Sequence, residues 1–238
     1  MKKIDVCLSP DLIHLYDLSD KNVVVVDILR ATSCMVAGLA NGVRSITPFA
    51  DLEACRTMKD LGYLIAGERG GEKVEGFDLG NSPLEYMAAK VKGQKVAVTT
   101  TNGTVAIDRS GKAVRVIIGA FLNISAVAEY LKQKKESAVI FCAGWKGTVN
   151  LEDSLYAGAL VEKLQNDFAN GSDAPLLVQS SWQHMKHDLA GFIKNSSHAK
   201  RLNRLDIHAD IDFCMREDEF DVVPVLSGQE LVVNNSQA

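Results

Sequence analysis

The sequence predicts an α/β protein of three layers: a mostly parallel, mixed sheet between two layers of helices, with a helical C-terminal segment. Three observations lead there. Runs of Val, Ile and Ala recur without alternation, as in VVVVD, VRVII and AVIF, which is how strands buried on both faces read. Helical stretches alternate with these runs, the signature of a parallel sheet covered on both sides. The chain has 238 residues, 47% of them hydrophobic and only five proline, enough to build a large core.

The elements follow in order. Residues 4–8 and 23–27 are the first two strands. Residues 31–41 form a helix that ends at Asn41-Gly42, a C-cap signal. A strand at 43–47 leads to a helix at 51–61, with Asp51 near its start and Gly62 just past its end. Further strands are expected at 63–66, 94–99, 114–118 and 138–142, with helices at 123–135 and 151–170 after the last two. Ser82-Pro83 followed by Glu85 has the N-cap pattern of another helix. Thr99–Thr104 (TTTNGT) admits two readings. Asn-Gly is a strong hairpin signal, whereas a parallel neighbour requires a crossover and favours a helix from about Asn102 to Asp108. After about Asp173 come short helical pieces at 176–187, 188–194, 198–202 and 207–216, then a β-like 221–226. Residues 173–238 are expected to pack as a helical appendage on one domain spanning 1–238, the last dozen closing the sheet or fraying.

Composition excludes several classes. There are 26 Lys+Arg against 30 Asp+Glu, a net charge of −4, which argues against nucleic acid as a partner. No h-region follows the first lysines, and no run approaches the roughly 20 apolar residues of a membrane span. The five cysteines, Cys7, Cys34, Cys55, Cys142 and Cys214, are odd in number with no C-x-x-C. They read as reduced, packed thiols in a cytoplasmic protein. His184 and His187 lack a third ligand nearby and read as a solvated helix face, and Trp145 and Trp182 as packing residues. No residue pattern specifies the oligomeric state, and a homodimer is the expectation.

Ligands of such sheets bind outside the carboxyl ends of the strands, and the polar residues collect there. After the second strand come Asp27, Arg30, Thr32 and Ser33. After the strand at 63–66 come Glu68 and Arg69 in a long glycine-rich loop of the kind that is usually functional. Thr99, Thr100, Thr101, Asn102 and Gly103 follow the strand at 94–99. Lys146, Glu152 and Asp153 follow the strand at 138–142. Asp27 alone would suit an N-cap, and Glu152-Asp153 would suit partners of a helix dipole. Together, however, the carboxylates Asp27, Glu68, Glu152 and Asp153 suit a hard cation such as Mg2+. The neighbouring cations suit phosphate. The chemistry expected is metal-assisted phosphoryl transfer to water.

Three long motifs, VVVVDILRATS (23–33), GERGGEKVEGFDLGNSP (67–83) and TTTNGT (99–104), closely resemble the 2-phosphosulfolactate phosphatases. AGWKGTVNLEDSLYAGA (143–159) and the DFC…VVP pattern (212–224) are similar to that family too, so the likeness runs through nearly the whole chain in order. The resemblance implies a three-layer α/β/α fold and a magnesium-dependent phosphatase. Its substrate would be 2-phospho-3-sulfolactate, on the route to coenzyme M, or a related phosphorylated 2-hydroxy acid. The motif residues carried over are Asp27, Arg30, Thr32, Ser33, Glu68, Arg69, Gly76, Asp78, Asn81, Thr100, Asn102, Gly103, Glu152 and Asp153.

In the arrangement expected, Asp27 with one or more of Glu68, Glu152 and Asp153 holds Mg2+. Arg30, the hydroxyls of Thr99–Thr101 and the Asn102-Gly103 backbone bind phosphate oxygens. Arg69 or Lys146 holds the carboxylate or sulfonate. Asp27 is nucleophile or base, and Asp-x-Asp is absent because Leu29 stands at the third position. Among the rivals, nucleotide binding lacks G-x-x-x-x-G-K-[ST] and G-x-G-x-x-G. A non-catalytic small-anion-binding or regulatory domain remains the alternative.

Overall fold

A computed structural model describes residues 1–202 and 208–234. Its strands are β1 (Lys2–Cys7), β2 (Lys21–Val26), β3 (Ser45–Pro48), β4 (Leu64–Arg69), β5 (Glu72–Lys73), β6 (Lys95–Thr99), β7 (Arg115–Gly119), β8 (Ser137–Cys142), β9 (Phe168–Asn170), β10 (Pro224–Ser227) and β11 (Glu230–Val233). They form one sheet in the order β5-β4-β6-β3-β11-β10-β7-β2-β8-β1-β9. The helices are α1 (Ala31–Ala40), α2 (Leu52–Thr57), α3 (Gly103–Arg109), α4 (Ile124–Gln133), α5 (Leu151–Leu164), α6 (Ala174–Met185), α7 (Leu189–Lys194), α8 (Ser197–Leu202) and α9 (His208–Cys214). They cover both faces of the sheet, the three-layer α/β architecture expected.

Two parallel blocks make up the sheet. One is β4-β6-β3 and the other β7-β2-β8-β1-β9. The hairpin β10–β11 joins them, antiparallel to both β7 and β3. Strand β2 lies between β7 and β8, and Val23–Val26 are wholly buried. That position explains the unbroken VVVV run, since both faces of β2 meet helices.

Several elements differ from expectation. Glu68 and Arg69 lie within β4, because Gly70 and Gly71, with φ of 65° and 93°, fold the chain back through a two-residue turn onto β5. TTTNGT resolves as strand then helix α3. No α-helix follows Ser82-Pro83; only 3₁₀ turns at Glu85–Met87 and Ala89–Val91 form. The Glu85 carboxylate instead accepts the Gly80 N–H at 3.0 Å. Helix α5 stops at Leu164, and Phe168–Asn170 pairs with the open edge of β1, which buries Phe168. The C-terminal segment is helical through α6–α9, yet its last strands sit inside the sheet rather than on it. Ile207, expected to open the last helix, lies outside the described residues, as do the last four.

All five cysteines are buried and unpaired. Among the described residues no helix is long and apolar enough to cross a membrane.

Candidate active site

The ends of β2, β4, β6 and β8 meet around a cavity of about 50 Å³. Asp27 is the first residue past β2 and is 5% exposed. The turn behind it closes on itself: Thr32 N–H donates to the Asp27 carbonyl at 2.9 Å, and Asp27 N–H donates to Thr32 Oγ1 at 3.1 Å. Ala31 N–H donates to the Asp27 carboxylate, and Ser33 Oγ donates to the Ile28 carbonyl at 2.8 Å. Thr32 and Ser33, expected to bind ligand, thus shape the loop. The Leu29–Arg30 peptide in it is cis.

Gly103 opens α3 directly against this turn. A Cβ there would lie 2.7 Å from Ala31 Cβ and 2.9 Å from Asp27 Oδ2, so the close approach of β6's loop to Asp27 requires glycine. Glu68 ties two further loops, its carboxylate accepting Thr101 N–H and Gly71 N–H, each at 2.7 Å. The Thr100 and Thr104 hydroxyls cap each other's backbone N–H at 3.1 Å. Thr99 Oγ1 accepts from Arg69 Nη2 at 3.0 Å. Thr101 Oγ1 is buried without a partner.

Asp27 and Glu68 line the cavity with Arg30, Asn81 and Asn102. Trp145, His198 and Arg201 complete this polar and aromatic wall. Arg30 is 4% exposed; Nη1 pairs with Asp210 of α9 and Nη2 donates to the Gly71 carbonyl at 3.0 Å, while Nε has no partner. Asp210 also accepts from Ser82 Oγ at 2.7 Å. His198 Nδ1 meets Glu152 Oε1 at 2.5 Å and the Asn150 side-chain amide at 3.2 Å, so both contacts fall on Nδ1 and Nε2 is the ring nitrogen left to the cavity that His198 lines. Glu152 Oε2 is buried and unpartnered.

The remaining candidates lie elsewhere. Asp153 accepts Ile28 N–H at 2.9 Å and Gly144 N–H at 3.0 Å, holding two strand-end loops together behind the cavity. Arg69 and Lys146 are exposed and not part of the cavity wall. Asp78 is structural, its Oδ2 accepting the Ile65 N–H at 3.0 Å. Trp182 packs as expected, 5% exposed, with Nε1 donating to Glu162 at 2.8 Å. Trp145 does not, for its ring carries Arg201 at 4.7 Å and His198 at 5.8 Å between centroids. His184 and His187 are exposed on and beside α6.

Sequence reasoning missed His198, Arg201 and Asp210. They lie on short helices outside any long motif, and the one available signal was the density of charged and imidazole side chains between His198 and Asp210.

Electrostatics single out Asp27. Burial pushes its carboxyl up to about 7, and the nearby Glu68 and Glu152 add to the rise while His198 opposes it. Burial also raises Asp153 well above the usual carboxylate range, with Glu152 and Asp27 contributing. Burial, before neighbouring charge, thus favours the neutral form of both carboxyls at this end of the sheet.

Among the described residues no group of three or more His, Cys, Asp or Glu side chains is placed to hold a metal ion. The four expected carboxylates do not form one cage. Two of them, Asp27 and Glu68, do share the cavity wall. One or two carboxylates completed by water and substrate phosphate is the usual way Mg2+ binds, so the donor set fits that ion in its open form.

The family described as 2-phosphosulpholactate phosphatase matches residues 7–229 of the chain. A protein of Caldanaerobacter subterraneus subsp. tengcongensis named probable 2-phosphosulfolactate phosphatase is 42% identical over 229 residues, covering 93% of each chain. One of the same name from Thermotoga petrophila is 42% identical over 224 residues, covering 94% of this chain and 95% of its own. A third, from Synechococcus sp. (strain RCC307), is 40% identical over 91% of this chain and 93% of its own.

Proposed function

Because the chain belongs to the 2-phosphosulpholactate phosphatase family, we propose that it hydrolyses 2-phosphosulfolactate, or a closely related phosphorylated 2-hydroxy acid, to the hydroxy acid and phosphate, with Mg2+ as cofactor. The observation that carries the assignment of the site is the pairing of two carboxylates, Asp27 and Glu68, with Arg30 in one small cavity. Carboxylates suit the cation and the guanidinium suits the anion that a phosphatase must hold together.

Asp27 and Glu68 would hold Mg2+, which supplies charge neutralisation to the phosphoryl oxygens when bound. Arg30 Nε and the Asn102 side chain would bind those oxygens. Arg30 is fixed for this by Asp210 and by the Gly71 carbonyl. His198 would donate a proton from Nε2 to the C2 oxygen as its bond to phosphorus breaks and a water oxygen takes its place, one proton of that water passing to a phosphoryl oxygen. Glu152, bound at Nδ1, orients the ring. Support for an enzyme over a non-catalytic anion-binding domain comes from family membership and from this proton donor beside the anion site.

The test is phosphate release from 2-phosphosulfolactate in Mg2+, after chelation, and after Mg2+ is restored. Release that stops on chelation and returns with Mg2+ is expected. No release from the sulfonated ester or from 2-phospholactate would end the phosphatase reading, and release indifferent to chelator would remove magnesium from it.

A further inference from the structure

Helix α8 brings Arg201 into the cavity wall, with Cζ 4.7 Å from the centroid of the Trp145 ring. Nη1 reaches Ser197 Oγ at 3.5 Å, but Nε and Nη2 are buried with no partner. Nε–H and an Nη2–H lie along one edge of a guanidinium, the edge that grips two oxygens of an oxyanion side by side. Burying those donors unpaired costs free energy that a bound oxyanion would recover.

The other cations are paired, bound to neighbouring oxygens, or off the cavity wall. Arg30 is ion-paired with Asp210. Arg69 donates to the Glu68 carbonyl at 2.7 Å and to Thr99 at 3.0 Å. Lys146 is exposed and off the cavity wall. Among the described residues that line the cavity, Arg201 is thus the guanidinium without a salt bridge, the Glu152 carboxylate acting on it only as a more distant charge.

We infer that Arg201, backed by Trp145, binds the sulfonate of the substrate and sets the preference for a sulfonated over a plain phosphoester. This rests on reading the cavity as the phosphatase site. In 2-phosphosulfolactate the carboxylate and the phosphate oxygen are both bonded to C2, whereas the sulfonate is one carbon further out. A group that grips the phosphate end leaves the sulfonate to a second cation. The Trp145 face also suits the weakly hydrated pairing of guanidinium with an oxyanion.

The test uses Arg201→Met, which keeps an unbranched stem on Trp145, and Arg201→Lys, which keeps the charge but loses the fork. Circular dichroism checks the fold of each. The first readout is the kcat/KM ratio of 2-phosphosulfolactate over 2-phospholactate, which should fall about 100-fold in Arg201→Met and about 10-fold in Arg201→Lys. The second is calorimetric binding of 3-sulfolactate, with lactate and inorganic phosphate as comparison probes. The sulfolactate Kd should rise roughly 30-fold relative to that of phosphate. A ratio within about threefold of wild type, equal losses on both esters, or sulfolactate binding that is absent or indifferent to Arg201 overturns the inference. Wild-type protein that binds 3-sulfolactate through Arg201 yet hydrolyses neither ester ends the phosphatase reading, and with it the role in ester preference, and leaves the sulfonate site standing. Hydrolysis of both esters with the ratio preserved in both variants does the reverse.

Discussion

The strand-end loops and the C-terminal helices both reach the cavity, but they are built in opposite ways. In the loops, polar side chains are held by backbone: Glu68 by two N–H groups, Asp153 by two more, Thr100 and Thr104 by each other. Helices α8 and α9 are only six and seven residues long, too short to be stable from propensity alone. Their site residues meet the loops through side-chain pairs: His198 with Glu152, Arg201 with Trp145, and Asp210 with Arg30. On the function proposed, the rigid half would hold the phosphate and cation, while the docked half would supply the proton donor and the outer anion site. The two halves should respond differently to mutation.

The largest effect belongs to the rigid half. Asp27→Asn should lower kcat by about 1,000-fold or more, since it removes a charge from the proposed cation site, while thermal melting in chelator shows an intact fold. Turnover near wild type would take Asp27 out of the site.

In the docked half, His198→Gln should lower kcat by about 100- to 1,000-fold, the range for a lost general acid. The loss should be far smaller for an aryl phosphate, whose phenolate leaving group departs without a proton. An equal fall on alkyl and aryl esters would make His198 a structural residue of α8.

Asp210→Ala tests docking itself. Arg30 and Asp210 have side chains only 5% and 6% exposed, and removing one partner of a buried pair typically costs about 3–5 kcal/mol. Urea unfolding should show a loss of that order. A loss below about 1 kcal/mol, the scale of a surface pair, would mean that α9 is held by something other than the arginine.

A pH effect separates the halves without altering contacts. The Asp27 carboxyl rises from about 3.8 to about 7 on folding, so the folded state takes up a proton between those values. The resulting stabilisation is complete below about 3.8, declines as pH rises, and is gone above about 7. In chelator, the stability of wild type minus Asp27→Asn should therefore fall across pH 4.5–7 and level off beyond. A flat difference would show that Asp27 titrates as an ordinary carboxylate. Mg2+ should raise the melting temperature of wild type more at pH 8 than at pH 5, because the cation competes with that proton.

The sequence made the rigid half legible and the docked half largely opaque, for a physical reason. Strand-end groups are announced by contiguous motifs, because one turn must place Asp27, Arg30 and Thr32 together and Gly103 must admit the neighbouring loop. The unbroken VVVV run likewise marked a central strand. Partnerships such as Glu152–His198, 46 residues apart, and Arg30–Asp210, 180 apart, leave no local pattern. The same holds for Thr32, Ser33 and Asp153, whose polar atoms are taken up by backbone donors and acceptors that no motif announces. Nor could periodicity show that β10 and β11 bridge two parallel blocks, since that pairing depends on where the C-terminal helices end.

The smallest effect sharpens the comparison most. Lys146 and Arg201 both approach the Trp145 ring, at 5.5 and 4.7 Å from its centroid. Lys146 is exposed on a strand-end loop, at a positive φ of 47°, and belongs to the rigid half, whereas Arg201 arrives on α8. A solvated ammonium is screened by salt and contributes little to holding an anion. Lys146→Ala should accordingly change kcat/KM for 2-phosphosulfolactate by less than about threefold at physiological ionic strength, and by less still as salt is raised. If its loss instead matched that of Arg201→Met and persisted in high salt, the outer anion would be gripped from the loop side. The division of labour between backbone-held loops and docked helices would then fail at the one aromatic ring the two share.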